Sequence, residues 1–298
     1  MTIFVKFTLL AKQYHMFKIL SKTMLTPNIC AMDVKAPRVA AAAKPGQFLI
    51  VRTGEDGERI PLTISDYDNE KGSVTIVTQG IGASTSAILD LEVGDCFQDV
   101  AGPLGNPSDF MAMSKEELAG ERYVFLAGGV GTAPVYPQAK WLHENGIPVD
   151  VIIGARNKDL LIYADKMKEV CDNLYLCTDD GSFGFHGLVT AQLEAVCAER
   201  GYTHMVAIGP MIMMKFATLT AKKLGLKATV SLNTLMVDGT GMCGACRVSI
   251  GGKMKFACVD GPEFNGYEVD FDEAMRRQRQ YLPQEKEALE RYKSQKAK

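Results

Sequence analysis

Short runs of alternating apolar and polar residues dominate the first third of the chain. Gln47-Phe-Leu-Ile-Val-Arg-Thr53, Arg59-Ile-Pro-Leu-Thr-Ile-Ser65 and Gly72-Ser-Val-Thr-Ile-Val-Thr78 are of strand length, with Gly54-Glu-Asp-Gly57 and the polar stretch 66–72 between them. β-Branched runs punctuated by Gly and Asp predict an antiparallel β-barrel or sandwich over residues 16–115. A strand pattern also starts at Phe17 and continues to Met24. The stretch 107–122, carrying Lys115-Glu-Glu117, predicts a surface helix or linker, and the domain boundary is placed there.

From Tyr123 the rhythm changes to strand, turn, helix. Buried-strand patterns at 123–127, 149–154, 173–178 and 204–209 are separated by helix-length segments ending at His143 and at 161–172, 187–200 and 211–224. Parallel strands need crossover connections, so this alternation predicts a Rossmann-like parallel sheet with helices on both faces over 120–227. Beyond Lys227 the pattern breaks. Residues 228–268 are short-segmented, Gly-rich and carry a Cys cluster, predicting a small C-terminal domain, and 269–298 form a charged helical tail. The tail predicts a solvated helix or a partner-docking element.

Composition adds limits. The 298 residues are 47% hydrophobic and 23% charged with a net charge of −2, an ordinary soluble balance that points to no nucleic-acid partner. No apolar run reaches the roughly 18–20 residues that span a bilayer, so no membrane association is expected. The segment Met1 to Leu10 lacks a basic n-region and a small-residue cleavage site, so no signal peptide is expected, and both Met1 and Met16 stand as candidate starts. Cys30, Cys96, Cys171, Cys177 and Cys197 are scattered in apolar surroundings and are expected to be buried thiols in a reducing cytoplasm.

Candidate chemistry lies in the turns. Gly128-Gly-Val-Gly131, with Pro134, follows the first strand of the α/β segment, where glycine lets backbone approach a pyrophosphate at a helix N-terminus. Thr178-Asp-Asp-Gly-Ser182 and Gly209-Pro-Met211 follow the third and fourth strands, placing all three turns at the carboxyl end of the sheet. In the β-rich segment Arg59 suits a phosphate and Thr63 a flavin ring, while Gly82-Ala-Ser-Thr85 offers two hydroxyls and backbone N–H groups for a second phosphate contact.

The strongest constellation is Asp238-Gly-Thr-Gly-Met-Cys-Gly-Ala-Cys-Arg247, with Cys243, Cys246 and, eleven residues on, Cys258. A plant-type [2Fe–2S] site has C-x4-C-x2-C and a distant fourth Cys, and counting back from Cys243 lands on Asp238. Three thiolates and a carboxylate suit such a cluster. Three thiolates also suit tetrahedral zinc, although no His and no second C-x2-C knuckle lies nearby.

The succession of R-x-P-L-T barrel strand, G-G-V-G-x-x-P turn, G-P-x-x-M-M turn and terminal Cys loop resembles the ferredoxin–NADP reductase superfamily. Within it the chain is similar to the branch with a C-terminal [2Fe–2S] cluster. That branch includes the electron-transfer subunit of dihydroorotate dehydrogenase B and the small (alpha) subunit of NADH-dependent reduced ferredoxin:NADP oxidoreductase. Asp at position 238, and Ile208 before Gly209-Pro210 where the dihydroorotate branch has Cys, favour the second. The resemblance implies FAD, NAD(H) and a [2Fe–2S] cluster. It places Arg59, Pro61, Leu62 and Thr63 at the flavin and Gly82, Ser84 and Thr85 near its phosphates. Gly129, Gly131, Thr132, Asp180, Gly209 and Pro210 are placed around the nicotinamide dinucleotide, and Asp238, Cys243, Cys246 and Cys258 at the iron. It implies NADH over NADPH, although Arg156 after the second strand also suits a 2′-phosphate. No side chain is expected to act as nucleophile or general base. The implied partner is a larger, glutamate-synthase-like subunit with flavin and [4Fe–4S] centres, reached indirectly by ferredoxin. Two alternatives are an electron-transfer subunit for dihydroorotate oxidation and a zinc-stapled module that senses NAD(H).

Overall fold

The computed structural model describes residues 17–296, so the candidate targeting segment and the Met16 start lie outside the described residues. The first sheet contains β1 (Phe17–Thr26), β2 (Ile29–Lys35), β3 (Phe48–Arg52), β4 (Ile60–Asp68), β5 (Ser73–Gln79), β6 (Cys96–Phe97) and β7 (Asp99–Leu104). They run in the order β6-β1-β2-β5-β4-β3-β7, every neighbouring pair antiparallel, as a nearly closed barrel. Alternate side chains such as Ile19, Met32, Val34, Leu49, Ile64 and Ile76 fill its interior. Register shifts at Ile19/Ser21 in β1 and Ile64/Asp66 in β4 are bulges, which sharpen strand twist and help the sheet curl on itself. The expected surface helix is Lys115–Ala119. Ser114 caps it by accepting from Glu117 N–H at 3.2 Å, while the Glu117 carboxylate accepts from Ser114 N–H at 2.7 Å.

The second sheet joins β8 (Tyr123–Gly128), β9 (Val149–Ala155), β10 (Asn173–Thr178), β11 (Phe185–His186), β12 (His204–Ile208) and β13 (Lys227–Ser231) in parallel. β14 (Arg247–Ile250) and β15 (Lys253–Phe256) form a separate hairpin, and β16 (Glu263–Asn265) adds antiparallel to β13. The order β11-β10-β9-β8-β12-β13-β16 reverses direction between β8 and β12. Helices Val189–Glu199 and Met211–Leu224 cover one face of this sheet, and Thr132–Glu144 covers the other.

Four expectations shift. Residues 161–172 give only the short helix Ala164–Lys168, because Tyr163 before it sits in the left-handed region at φ 59° and interrupts the pattern. The parallel sheet also continues past Lys227, since Lys227–Ser231 is a sixth parallel strand and Glu263–Asn265 returns to it antiparallel. Of the scattered thiols, Cys30, Cys171 and Cys177 are buried, whereas Cys96 and Cys197 are only partly so. The tail is not merely solvated. Helix Phe271–Gln278 buries Phe271 and Ala274, and helix Leu282–Lys296 returns to the barrel, where Tyr292 and Lys296 both bond Asp90.

Barrel, parallel sheet and C-terminal segment meet at Glu263. Its Oε1 accepts from Ser108 Oγ at 3.0 Å and from Gln138 Nε2 at 2.9 Å. Burial, the largest cause, raises the Glu263 carboxyl from 4.5 to about 7 despite these hydrogen bonds. A folded-state value above the unfolded one contributes stability that is full below 4.5 and lost as pH rises through about 7. Glu263→Gln keeps an acceptor for both donors and cannot ionise. We expect the wild-type urea midpoint to fall relative to that of the variant between about pH 5 and pH 8. Parallel curves would show that Glu263 does not titrate in this range.

Candidate functional site

In an open α/β sheet the crevice for a ligand lies outside the carboxyl ends of the strands, where their order reverses. Here that point is held open by close backbone contact between the ends of β8 and β12. A Cβ on Gly131 would lie 2.2 Å from the Ile208 carbonyl oxygen and 2.9 Å from Gly209 Cα. Side chains on Gly128 or Gly209 would strike Met213, at 2.4 and 2.9 Å. These three positions form a cradle of bare backbone at the start of helix Thr132–Glu144, the arrangement that accepts a pyrophosphate.

The cradle opens into a cleft of about 1240 Å³ between the two sheets. That volume exceeds the roughly 300–1,000 Å³ of a single small-molecule pocket and suits parts of two dinucleotides. Pro61, Leu62 and Thr63 of β4 line the barrel wall, and Gly129, Gly131, Gly209 and Pro210 line the opposite wall. One unsatisfied buried hydroxyl, Thr234 Oγ1, belongs to a residue of this lining and is available to a ligand.

Other residues singled out from sequence lie outside the lining. Thr132 Oγ1 donates to Gly129 O at 2.8 Å and so stabilises the turn. Asp180 Oδ1 accepts from Ser182 N–H at 2.9 Å, its carboxyl is kept below the usual range by the Ser182 hydroxyl and that N–H, and Asp179 lines the cleft instead. Ser84 Oγ donates to Glu58, and Thr85 Oγ1 accepts from the N–H groups of Gly82 (2.9 Å) and Ile81 (3.1 Å). Arg59 turns away from the cleft toward the Cys loop, donating from Nε to Val237 O at 2.8 Å and from Nη2 to Asp238 O at 3.3 Å.

Sequence reasoning missed two parts of the wall. Ser231, Asn233 and Thr234 follow β13, a strand not anticipated, and Met275, Gln278 and Arg279 come from the tail helix. The strand was detectable from the alternation in Lys227-Ala-Thr-Val-Ser231. Nothing local marks the helix as part of the cleft.

The Cys loop packs on the barrel. Gly239, at φ +82°, passes so close to β3 and β7 that a Cβ would meet Ile50 at 2.6 Å and Leu104 at 2.9 Å. Cys246 and Cys258 are buried with their sulfurs 3.2 Å apart, and burial raises the Cys258 thiol, as does the neighbouring Cys246. Cys243 is exposed, and its thiol is lowered chiefly by the backbone N–H groups of Ala245 and Asp238. Donors of this kind stabilise a thiolate, the form that binds metal. Asp238 Oδ2 accepts from Thr240 N–H (2.9 Å), Thr240 Oγ1 (2.7 Å) and Met242 N–H (3.2 Å), while Oδ1 accepts no hydrogen bond among the described residues. No three such side chains converge on a single point among the described residues. The donor set nevertheless fits a sulfide cluster better than one ion: two paired buried thiols, a third stabilised by loop amides, and a carboxylate oxygen unengaged.

Residues 233–270 match the family model described as the iron–sulfur cluster binding domain of dihydroorotate dehydrogenase B. The chain is 46% identical over 275 residues to a dihydroorotate dehydrogenase B (NAD(+)) electron transfer subunit homolog of Thermotoga maritima, covering 92% of this chain and 95% of that one. It is 57% identical to an uncharacterized protein in the adh 3′ region of Clostridium beijerinckii, over 92% of this chain and 93% of the other. Among solved structures it is similar, at 44% identity and a TM-score of 0.86, to a chain of the NADH-dependent reduced ferredoxin-NADP oxidoreductase studied for flavin-based electron bifurcation. That likeness covers 93% of this chain and 98% of the other.

Proposed function

Because the chain belongs to the family of dihydroorotate dehydrogenase B electron-transfer subunits and their homologues, we propose that it moves electrons between NAD(H) and a partner flavoprotein. FAD would exchange hydride with NAD(H) and single electrons with a [2Fe–2S] cluster, chemistry that belongs to the cofactors. The chain's own residues bind and orient them. Pro61, Leu62 and Thr63 provide a rigid strand face for the flavin, and the Gly128–Gly131 and Gly209–Pro210 turns receive the nicotinamide dinucleotide. Asp179, just past β10, would accept from a ribose hydroxyl, as NADH requires, while Arg156, which also lines the cleft, would suit a 2′-phosphate. Cys243, Cys246, Cys258 and Asp238 Oδ1 hold the cluster. One observation carries this reading: Arg59, the residue just before the strand that faces the cleft, grips the Cys loop, so dinucleotide cleft and metal loop are joined at one strand.

The partner is a larger subunit. Asp238 in place of a first cysteine favours a glutamate-synthase-like flavin and [4Fe–4S] protein over a pyrimidine-pathway dehydrogenase, with ferredoxin reached through that partner. Co-purification of the native complex with flavin and iron counts tests this, and isolation with a dihydroorotate-oxidising subunit would overturn it. Among the described residues no helix is long and apolar enough to cross a membrane. A purified chain with flavin and iron–sulfur absorption, bleached by NADH, is the expected result; a colourless zinc protein would end the proposal.

Asp238→Cys tests the ligand assignment. The variant is expected to keep a [2Fe–2S] cluster with shifted EPR g-values and a shifted potential, since thiolate replaces carboxylate on one iron. An unchanged spectrum would remove Asp238 from the ligand set.

A further inference from the structure

The backbone of the Cys loop is held from outside by three guanidinium groups. Arg59, the residue before β4, takes the carbonyls of Val237 (2.8 Å) and Asp238 (3.3 Å). Arg247, at the start of β14, donates to Gly244 O at 3.0 Å, and Arg277, from helix Phe271–Gln278, donates to Ala245 O at 3.2 Å. Three separate elements therefore meet on four carbonyls of one loop. With the Val237 and Gly244 carbonyls drawn outward, the N–H groups of the same planar trans peptides, those of Asp238 and Ala245, point the opposite way, to the inside of the loop.

Among the described residues none of these three arginines forms a salt bridge, and the carboxylate that feels Arg59 is Asp238 of the loop itself. The arginine salt bridges among the described residues belong to Arg52, Arg200 and Arg291. Lys255, the nearby lysine on β15, is paired with Asp260 at 3.0 Å. A cluster held by three thiolates and a carboxylate is anionic and becomes more so on reduction. Fixed cations and inward amides around it stabilise the reduced form.

We propose that Arg59, Arg247 and Arg277 form a cationic collar that sets the shape of the iron–sulfur loop and raises the reduction potential of its cluster. Arg59 ties that loop to the flavin-facing strand. The inference rests on the function proposed above and gives Arg59 a positioning role in place of the flavin-phosphate contact expected from sequence. The arginines are conformational and electrostatic supports; none touches a reacting atom.

The test uses the full chain with its cofactors. Arg59→Gln and Arg277→Gln are each expected to shift the oxidised-to-reduced ratio of the cluster about tenfold at a fixed potential, 59 mV more negative for one electron. The FAD content of Arg59→Gln is expected to match wild type. Arg59→Lys keeps the charge but cannot span both carbonyls, so it should alter the EPR line shape with a smaller change in potential. Arg276→Gln, on the exposed side of the same helix, is the control and should change neither. Loss of FAD from Arg59→Gln with an unmoved cluster potential would overturn the collar and restore the phosphate contact. Potentials and EPR spectra equal to wild type in both Gln variants would also overturn it. A wild-type protein that binds no iron would refute the underlying function, a distinguishable result.

Discussion

Cys258→Ser is expected to strip the iron–sulfur cluster and leave the flavin in place. Cys258 is buried beside Cys246, their sulfurs 3.2 Å apart, on the side of the loop that packs into the core shared by barrel and parallel sheet. A serine alcohol there keeps the volume, but it does not ionise as a thiolate does and binds iron far more weakly. Mutations of outer supporting groups typically cost about 10–100-fold in metal affinity, so removal of a ligand should exceed that. Iron content and visible EPR should fall to near background, while NADH still bleaches the flavin. Transfer to a one-electron acceptor should drop by about 100-fold or more. The fold should survive, because burying one hydroxyl costs only about 1–3 kcal/mol. Cys197→Ser, at a partly buried thiol outside the loop, is the comparison. Full iron occupancy in Cys258→Ser would mean that the cluster is held elsewhere.

The second large effect is expected at Gly131. Its φ of −59° is ordinary, so backbone freedom is not the reason for glycine here. The reason is space: a Cβ would overlap the Ile208 carbonyl at 2.2 Å, and backbone cannot rotate aside as a side chain can. Gly131→Ala must push the ends of β8 and β12 apart. Overpacking of this kind costs about 1–3 kcal/mol in stability. The same displacement spoils the cradle, and NADH affinity should fall about tenfold for each 1.4 kcal/mol of lost contact. Stopped-flow reduction of the flavin by NADH, with thermal melts in parallel, reads both effects. Gly129→Ala separates the causes, because its Cβ meets nothing within 4 Å and only its φ of +56° opposes substitution. Equal losses in the two variants would show that the close approach at Gly131 is unimportant.

Much of the architecture was legible because local patterns and fold agree. Period-two runs at 47–53, 59–65 and 72–78 became β3, β4 and β5 because one face of each fills a barrel interior. The strand–turn–helix rhythm from Tyr123 became a parallel sheet because only crossovers can connect such strands. Legibility failed where a segment is held by distant partners. β13 is five residues long and was hidden by the Gly-rich stretch after it, yet pairing with β12 and β16 makes it central to the cleft wall. The tail looked like a solvated helix because its charges dominate the pattern. Phe271 and Ala274 are its only buried apolar anchors among the described residues, and the polar ones, such as Tyr292 on Asp90, likewise reach partners far back in the chain.

Sequence alone determined the chemistry that spacing encodes. The C-x2-C loop with its distant third cysteine, the aspartate five residues before it, and the glycine turn after the first parallel strand are local features, because a few consecutive residues create them. Where side chains point was decided by tertiary structure. Arg59 belongs to a flavin-type strand by sequence, but packing of Gly239 on Ile50 brings the Cys loop within its reach and turns the guanidinium to that loop. The resemblance placed Asp180 at the dinucleotide, yet the turn has Asp180 accepting from Ser182 N–H and leaves Asp179 lining the cleft. In both cases a polar side chain was claimed by the nearest backbone group. For Asp180 that group is two residues away in the same turn, whereas for Arg59 only the fold supplies it, across 179 positions.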